Sequence, residues 1–306
     1  MKPLLRDREN DRALERFTIK DIEVLTDIKA HTLRIWEQRY DIIRPKRTDT
    51  NIRYYDAEDL KLLLNISVLN QHGVKISSIA EMSKQDIGRK VAAITLNNFD
   101  SDHQIKAMVY TMLDLNEDQF EKIVMTNILQ KGFESCMIDV IFPFMSNVGI
   151  LWLSGSITPA HEHFISNIIR QKLIVAIDGQ VRHKNEWGKK FVLYLPENEY
   201  HELGLLFSSY LIKARGHHVV YLGQSVPILD LPVIEKEYQP DYFFTAVTTS
   251  FPKGTVQDYV NEVQKLVPNV PFLFSGREVL HKNPELPAGS KLIKDFNQLV
   301  EMFKNL

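Results

Sequence analysis

Cysteine is almost absent: the 306-residue chain has one, Cys136. No internal disulfide can form, and no thiolate-rich metal site can be built from a single sulfur. Cys136 lies amid Phe133, Met137 and Ile138, so a buried structural thiol is expected. Net charge is nearly absent as well, with 37 Lys and Arg against 39 Asp and Glu, a balance of -2. No global field draws nucleic acid, and any basic surface has to be local. No apolar run reads as long enough to span a bilayer. The stretch Met1 to Arg16 is dense in charge and lacks the apolar core of a signal peptide. Residues 1–16 are therefore expected to be a flexible lead-in, and the protein a cytoplasmic one with no membrane partner. What is present is ordinary for a globular chain: 44% hydrophobic and 25% charged residues, in a length that suits two or three domains.

The local basic surface is found in residues 17–87. Thr18 with Asp21 three residues on is a capping pattern, followed by the apolar positions Ile19, Ile22, Val24, Leu25 and Ile28. A turn near Thr26-Asp27 separates this helix from a second one rich in Arg and aromatic residues, an order that matches a helix-turn-helix. The stretch Ile43 to Tyr55 reads as a two-stranded wing turning at Asp49-Thr50-Asn51. Between His31 and Tyr55 the bases Arg34, Arg39, Arg44, Lys46, Arg47 and Arg53 outnumber the acids Glu37, Asp41 and Asp49, the footprint of phosphate binding. Asp56 caps a further helix to Leu69, closed by His72-Gly73. The runs Thr32-Leu33-Arg34-Ile35-Trp36-Glu37, Arg44-Pro45-Lys46-Arg47 and Arg53-Tyr54-Tyr55 resemble the DNA-binding domain of the MerR family, with a wing turn that lacks glycine. The resemblance implies double-stranded operator DNA as partner. Arg34, Arg39 and Tyr40 would meet the major groove or its phosphates, and Arg44, Lys46, Arg47, Arg53 and Tyr54 would serve the wing and backbone.

Residues 88–186 read as five helices with amphipathic faces, a helical bundle. Pro143 is expected to kink one of them. Thr158 and Pro159 start the last, which brings Trp152, Glu162 and His163 near one bundle end. By themselves these three are a core tryptophan and two exposed polar residues. Tryptophan, nine residues, then Glu-His resembles, however, the cap motif of the MerR-type, cobalamin-dependent photoreceptor regulators. That resemblance implies that Trp152, Glu162 and His163 cover the upper face of a corrin.

Residues 187–306 alternate five apolar strands with helices, which implies a parallel flavodoxin-like (Rossmann-like) sheet. Between the buried run Phe191 to Leu195 and the helix from Leu205 lies Pro196-Glu197-Asn198-Glu199-Tyr200-His201-Glu202-Leu203-Gly204. It is a strand-to-helix loop, where ligands bind in open α/β sheets, and its histidine can ligate a metal through one nitrogen while a neighbour orients the other. Glu199-x-His201-x-x-Gly204 resembles the cobalamin-binding signature Asp-x-His-x-x-Gly, with an acidic side chain one methylene longer. By that resemblance His201 is the lower cobalt ligand, Glu199 its orienting partner, and Gly204 admits the nucleotide tail. Thr245-Ala246-Val247 stands where Ser-x-Leu is usual, and Ser275-Gly276 where Gly-Gly is usual.

The fold class expected is thus multidomain: an α-helical winged helix-turn-helix, a helical bundle, and an α/β flavodoxin-like domain. The expected protein is a transcriptional regulator and not an enzyme, with adenosylcobalamin between cap and sheet. It would form a homo-oligomer, dimer or tetramer, that holds DNA in the dark and separates when light breaks the cobalt–carbon bond. Two other readings fit the residues less well. One is a MerR-type regulator with a drifted pocket that acts through protein–protein contacts without cobalamin. The other is a corrinoid methyl carrier, against which the DNA-binding module argues.

Overall fold

The computed structural model describes residues 16–48, 50–97, 101–153, 157–180, 188–251 and 254–304, with the backbone alone for 92–97 and 153. The expected lead-in up to Glu15, the wing-turn residue Asp49, and Asn98 and Asp100, which sequence reading takes as helix caps and turns in the bundle, lie outside the described residues. The chain divides into two units, residues 1–165 and 166–306.

In the first unit, α1 (Ile19–Thr26) begins at a reciprocal cap. The Asp21 amide donates to Thr18 Oγ1, and the Asp21 carboxylate accepts from the Thr18 amide at 2.7 Å. Asp27 ends the helix in the left-handed region, at φ 58°. α2 (Ala30–Tyr40) follows after three residues, and Lys29 gives it no side-chain cap. Its first amide, Ala30, donates instead to Glu23 of α1 at 2.9 Å, so one carboxylate joins the two helices. Leu33 and Trp36 of α2 are buried beside Ile22 and Leu25 of α1. β1 (Lys46–Arg47) and β2 (Arg53–Tyr54) form the antiparallel wing. Its turn needs no glycine because Asn51 adopts φ 65°, a conformation its short polar side chain tolerates. The fully buried Phe17 and Tyr55 pair across the base of the wing. α3 (Ala57–Gln71) starts at a second reciprocal cap, Asp56 with Asp59, and α4 (Ile76–Ala80) follows.

The bundle comprises α5 (Lys84–Asn97), α6 (Ser101–Leu113), α7 (Glu117–Lys131), α8 (Phe133–Cys136), α9 (Phe142–Leu153) and α10 (Pro159–Asp178). The expected kink takes the form of one π turn over Met137–Ile141, with the Phe142 amide bonded to the Met137 carbonyl. Pro143 has no amide to donate, and its ring clashes with the carbonyl four residues back, so the ordinary register cannot continue. The expectation that no stretch is long and apolar enough for a bilayer is corrected. Phe133–Trp152 meets that test by length and composition, with a mean hydropathy of 1.4. The polar Glu134, Asp139 and Asn147 hide it when contiguous runs are sought. Its Met137, Val140, Ile141, Phe144, Val148 and Leu151 are buried, as in the core helix of a bundle. Cys136 is buried with them, and that burial pushes its thiol up to about 12. Lys106 of α6 is only 3% exposed. It donates to Asp102 of its own helix at 2.8 Å, to Asp27 of the helix-turn-helix at 3.1 Å and to Gln71 of α3 at 3.3 Å.

The second unit holds β3 (Lys190–Pro196), α11 (Leu203–Ala214), β4 (His218–Val226), α12 (Leu231–Tyr238), β5 (Tyr242–Ala246), α13 (Val256–Leu266), β6 (Phe272–Ser275), α14 (Arg277–Lys282), β7 (Lys291–Leu292) and α15 (Phe296–Lys304). The strands are parallel, in the order β4-β3-β5-β6-β7. Phe191 to Leu195 are all fully buried, as a central strand covered on both faces must be. Val192 and Tyr194 pack with Phe243, Phe272 and Phe274 against α13, while Phe191 stacks on Tyr242 and meets Phe303 of α15 edge-on. Burying each such side chain contributes roughly 1.5–3 kcal/mol. From β3 the chain steps to β4 on one side and then back to β5 on the other. The carboxyl ends of β3 and β5 are therefore the topological switch point, where such sheets take their ligands.

Candidate functional site

The β3–α11 loop leaves the sheet at this switch point. A tight turn, closed by the Glu199 amide on the Pro196 carbonyl at 3.0 Å, places Asn198 at φ 65°. Glu199 then turns inward and is only 3% exposed. Its Oε1 accepts from the Tyr200 amide at 3.0 Å, the His201 amide at 3.1 Å and His201 Nδ1 at 2.6 Å. Its Oε2 accepts from the Thr248 amide at 2.8 Å, the Thr249 amide at 2.9 Å and Thr249 Oγ1 at 3.0 Å. Burial alone would push this carboxyl up. The bonds from the His201 side chain and from the Thr249, His201 and Thr248 amides outweigh that and hold it at about 2. An ionised Glu199 accepting from Nδ1 favours the imidazole tautomer whose Nε2 carries the lone pair, the form in which a histidine ligates a metal. The His201 side chain is 61% exposed. The longer acidic residue thus reaches both the histidine and the β5 end, and the donor set fits a cobalt ligand with its orienting partner. Beside Glu199 lies a cavity of about 50 Å³ lined by Val247, Thr249 and Phe251 among others.

The other cofactor positions expected in this unit are dispersed. Gly276 follows β6 at φ +98°, and a Cβ there would come within 2.4 Å of the Val247 carbonyl oxygen. Only glycine lets the β6 end approach β5 this closely. Ser275 turns its hydroxyl to the Ile293 carbonyl at 3.1 Å. Thr245 is fully buried, its hydroxyl 3.5 Å from that of Tyr259. Gly204 sits in the first turn of α11, where a Cβ would meet Phe296 at an ordinary 3.8 Å. The structure therefore gathers Glu199 and His201 with Thr248 and Thr249, and leaves Thr245 inside the sheet core.

In the first unit, His163 Nδ1 lies 2.9 Å from Glu162 Oε2 on α10, and Trp152 at the end of α9 is 52% exposed. A larger cavity of about 630 Å³, between α3, α5, α6 and α7, is lined by Leu64, Lys106, Tyr110 and Lys122 among others, and by none of the residues expected to hold a cofactor.

On the helix-turn-helix, Leu33 and Trp36 turn inward and leave His31, Arg34, Ile35, Gln38 and Arg39 as one exposed stripe of α2. Arg39 lies over the Tyr40 ring. The wing bases are paired within the chain. Arg44 bonds Asp41, Lys46 bonds Asp56, and Arg47 bonds Asn51 Oδ1 at 2.7 Å. Arg53 lies 3.7 Å from Glu37, whose other oxygen accepts from Tyr55 Oη at 2.6 Å. Arg16 lies over the Tyr54 ring. Sequence reasoning passed over Ile35 and Gln38, although the helical period around Leu33 and Trp36 marks them. It also passed over Thr248 and Thr249, which only the strand order brings beside Glu199.

Comparison with known proteins finds two matching segments. Residues 17–86 match the family model described as MerR HTH family regulatory protein, and residues 104–176 match that described as B12 binding domain. The chain is 26% identical over 254 residues to the HTH-type transcriptional repressor CarH of Myxococcus xanthus, across 80% of this chain and 83% of that protein. To the HTH-type transcriptional repressor CarA of the same organism it is 24% identical over 226 residues, across 73% of each. Among solved structures, the Methanosarcina barkeri monomethylamine corrinoid protein overlays with a TM-score of 0.48 at 12% identity, over 65% of this chain and 96% of that one, a likeness too slight to bear on function. The chain thus carries a MerR-type helix-turn-helix match over residues 17–86 and a B12 binding domain match over residues 104–176.

Proposed function

We propose that this regulator binds operator DNA as a cytoplasmic homo-oligomer, and that adenosylcobalamin and light control the binding. The observation that carries the reading is the Glu199–His201 pair: an exposed imidazole with Nδ1 bonded to a buried, ionised carboxylate at the switch point of the sheet. His201 would hold the cobalt, and Glu199, itself held by Thr248 and Thr249, would set the angle and basicity of the imidazole. Gly276 keeps the neighbouring strand ends close, and Gly204, Thr245 and Ser275 belong to the same domain, residues 187–306. Bound adenosylcobalamin supplies a cobalt–carbon bond that light breaks. Trp152 offers an apolar face to the upper side of the ligand, and Glu162 with His163 offers hydrogen-bonding groups, all within a cap domain of residues 88–186. The DNA-binding domain, residues 17–87, presents Arg34 and Arg39 on α2 beside Tyr40. Arg44, Lys46, Arg47, Arg53 and Tyr54 belong to the wing and its flank. Joining several such modules in a dimer or tetramer raises avidity for DNA. The likeness to two repressors that span most of this chain supports a regulator, not an enzyme.

The test is an absorption spectrum of the protein mixed with adenosylcobalamin in the dark and desalted, then repeated after green light. Retained colour, a light-driven spectral change and a shift in size-exclusion volume are expected. A protein that desalts colourless overturns the cofactor-controlled reading and favours regulation through protein contacts.

A further inference from the structure

His201 has an acidic residue on each side, Glu199 two residues before it and Glu202 one after. The functional reading uses only the first. Glu202 stands at the start of α11, where a carboxylate ordinarily caps the helix, yet its side chain makes no capping bond. It is only 8% exposed, and a buried carboxylate needs a counter-charge or hydrogen bonds. It has both. Oε1 accepts from Arg170 Nε of α10, and Oε2 accepts from Tyr221 Oη of β4 at 3.0 Å. Burial and the adjacent Glu202 carboxylate push the Tyr221 phenol well up, so it remains a donor. The backbone of the same loop is tied to β4 as well: the Asn198 amide donates to Ser225 Oγ at 3.1 Å, and Gln224 Nε2 donates to the Tyr200 carbonyl at 2.8 Å. The Arg170 bond ties the carboxyl side of the histidine to α10.

We propose that Arg170, Glu202 and Tyr221 form a clasp that positions the β3–α11 loop, and through it the direction of His201 Nε2 toward cobalt. None of the three touches the metal; they are positioning residues. Glu199 fixes the rotation of the imidazole, and Glu202 fixes the backbone that carries it. Arg170 belongs to the part of α10 that lies in the second unit, so the clasp ties the ligand loop to that helix segment. The proposal rests on His201 being the cobalt ligand.

The experiment loads full-length wild type, Arg170→Met, Arg170→Lys, Glu202→Gln and His201→Ala with adenosylcobalamin in the dark. It then measures the rate of cofactor release and the fraction with the lower ligand displaced as pH falls. It also records the nitrogen hyperfine splitting that a bound imidazole imposes on the reduced cobalt(II) form. Circular dichroism and the thermal midpoint check folding. Release about tenfold faster in Arg170→Met and Glu202→Gln is expected, with weakened nitrogen splitting, displacement of the ligand at higher pH, and partial rescue in Arg170→Lys. A merely stabilising ion pair would lower the thermal midpoint and leave release and splitting at wild-type values, and that result overturns the proposal. If Glu202→Gln does not fold, Arg170→Met decides, because its half-exposed side chain can be lost without opening the core. Failure of the underlying reading looks different: His201→Ala would then match wild type in spectrum and release, and the clasp would fall with the ligand.

Discussion

The two regions proposed to meet a ligand, the wing and the His201 loop, handle charge in opposite ways. Beside the wing the Arg44–Asp41 pair is exposed, with side-chain exposures of 82% and 57%, while Glu37 opposite Arg53 is only 10% exposed. Around His201 the carboxylates are buried, and each oxygen of Glu199 accepts three hydrogen bonds. Exposed pairs are weak, screened by salt and quick to exchange partners. A DNA phosphate can therefore replace Asp41 or Asp56 with little loss. Buried pairs are expensive to break, because a lone charge or donor is left behind. Charge that has to change hands is left in water, and charge that has to hold an angle is buried.

The contrast is sharpest at Glu199. Glu199→Ala strands the Thr248 and Thr249 amides and frees the imidazole. A loss of about 3 kcal/mol in urea unfolding is expected from unsatisfied buried donors, together with loss of the histidine-ligated cobalamin spectrum. A variant that unfolds like wild type would erase the distinction between the regions. The pH dependence comes next. Glu199 is held at about 2 against an ordinary 4.5, so its folded value is depressed. Its stabilisation, about 3 kcal/mol, is fully present above 4.5 and is lost as pH falls toward 2. Urea midpoints should therefore drop through this acid window in wild type, and drop less in Glu199→Gln, which has no carboxylate to protonate. On the DNA side the effects are smaller and appear in binding alone. Arg34→Ala should make the log–log dependence of DNA affinity on salt shallower by about 0.9, one phosphate contact, with the unfolding curve unmoved. Arg44→Ala should change that slope less, because Asp41 already neutralises the guanidinium. Its unfolding midpoint should also stay in place, and a clear fall would mean that the exposed pair is structural after all.

What was legible in the sequence follows the range of the interactions. Caps at Thr18 and Asp56 depend on residues three apart, and the wing pairs residues six to eight apart across one turn, so their signals survive in one dimension. The Glu199-x-His201 pair is readable for the same reason. Thr248 and Thr249 stand far along the chain and meet Glu199 only because β5 lies beside β3 in the sheet. Arg170 finds Glu202 through packing that no spacing announces. Spacing does not tell the glycines apart: a Cβ at Gly204 would meet Phe296 at 3.8 Å, whereas at Gly276 the Val247 carbonyl oxygen would lie within 2.4 Å of it. The apolar length of Phe133–Trp152 was hidden by its scattered polar residues.

Lys106 bears on operator architecture. A reading head on a slack tether accepts any interval between two half-sites. Here the turn between α1 and α2, the end of α3 and the bundle helix α6 meet on one buried ammonium, so the head and its bundle form one solid piece. In the proposed assembly of such chains the heads would act as the points of a caliper, set by how the bundles pack. Operators spaced to that gauge would be gripped by several heads at once. An operator lengthened by half a helical turn turns its second half-site to the far side of the duplex, where a fixed caliper point cannot follow.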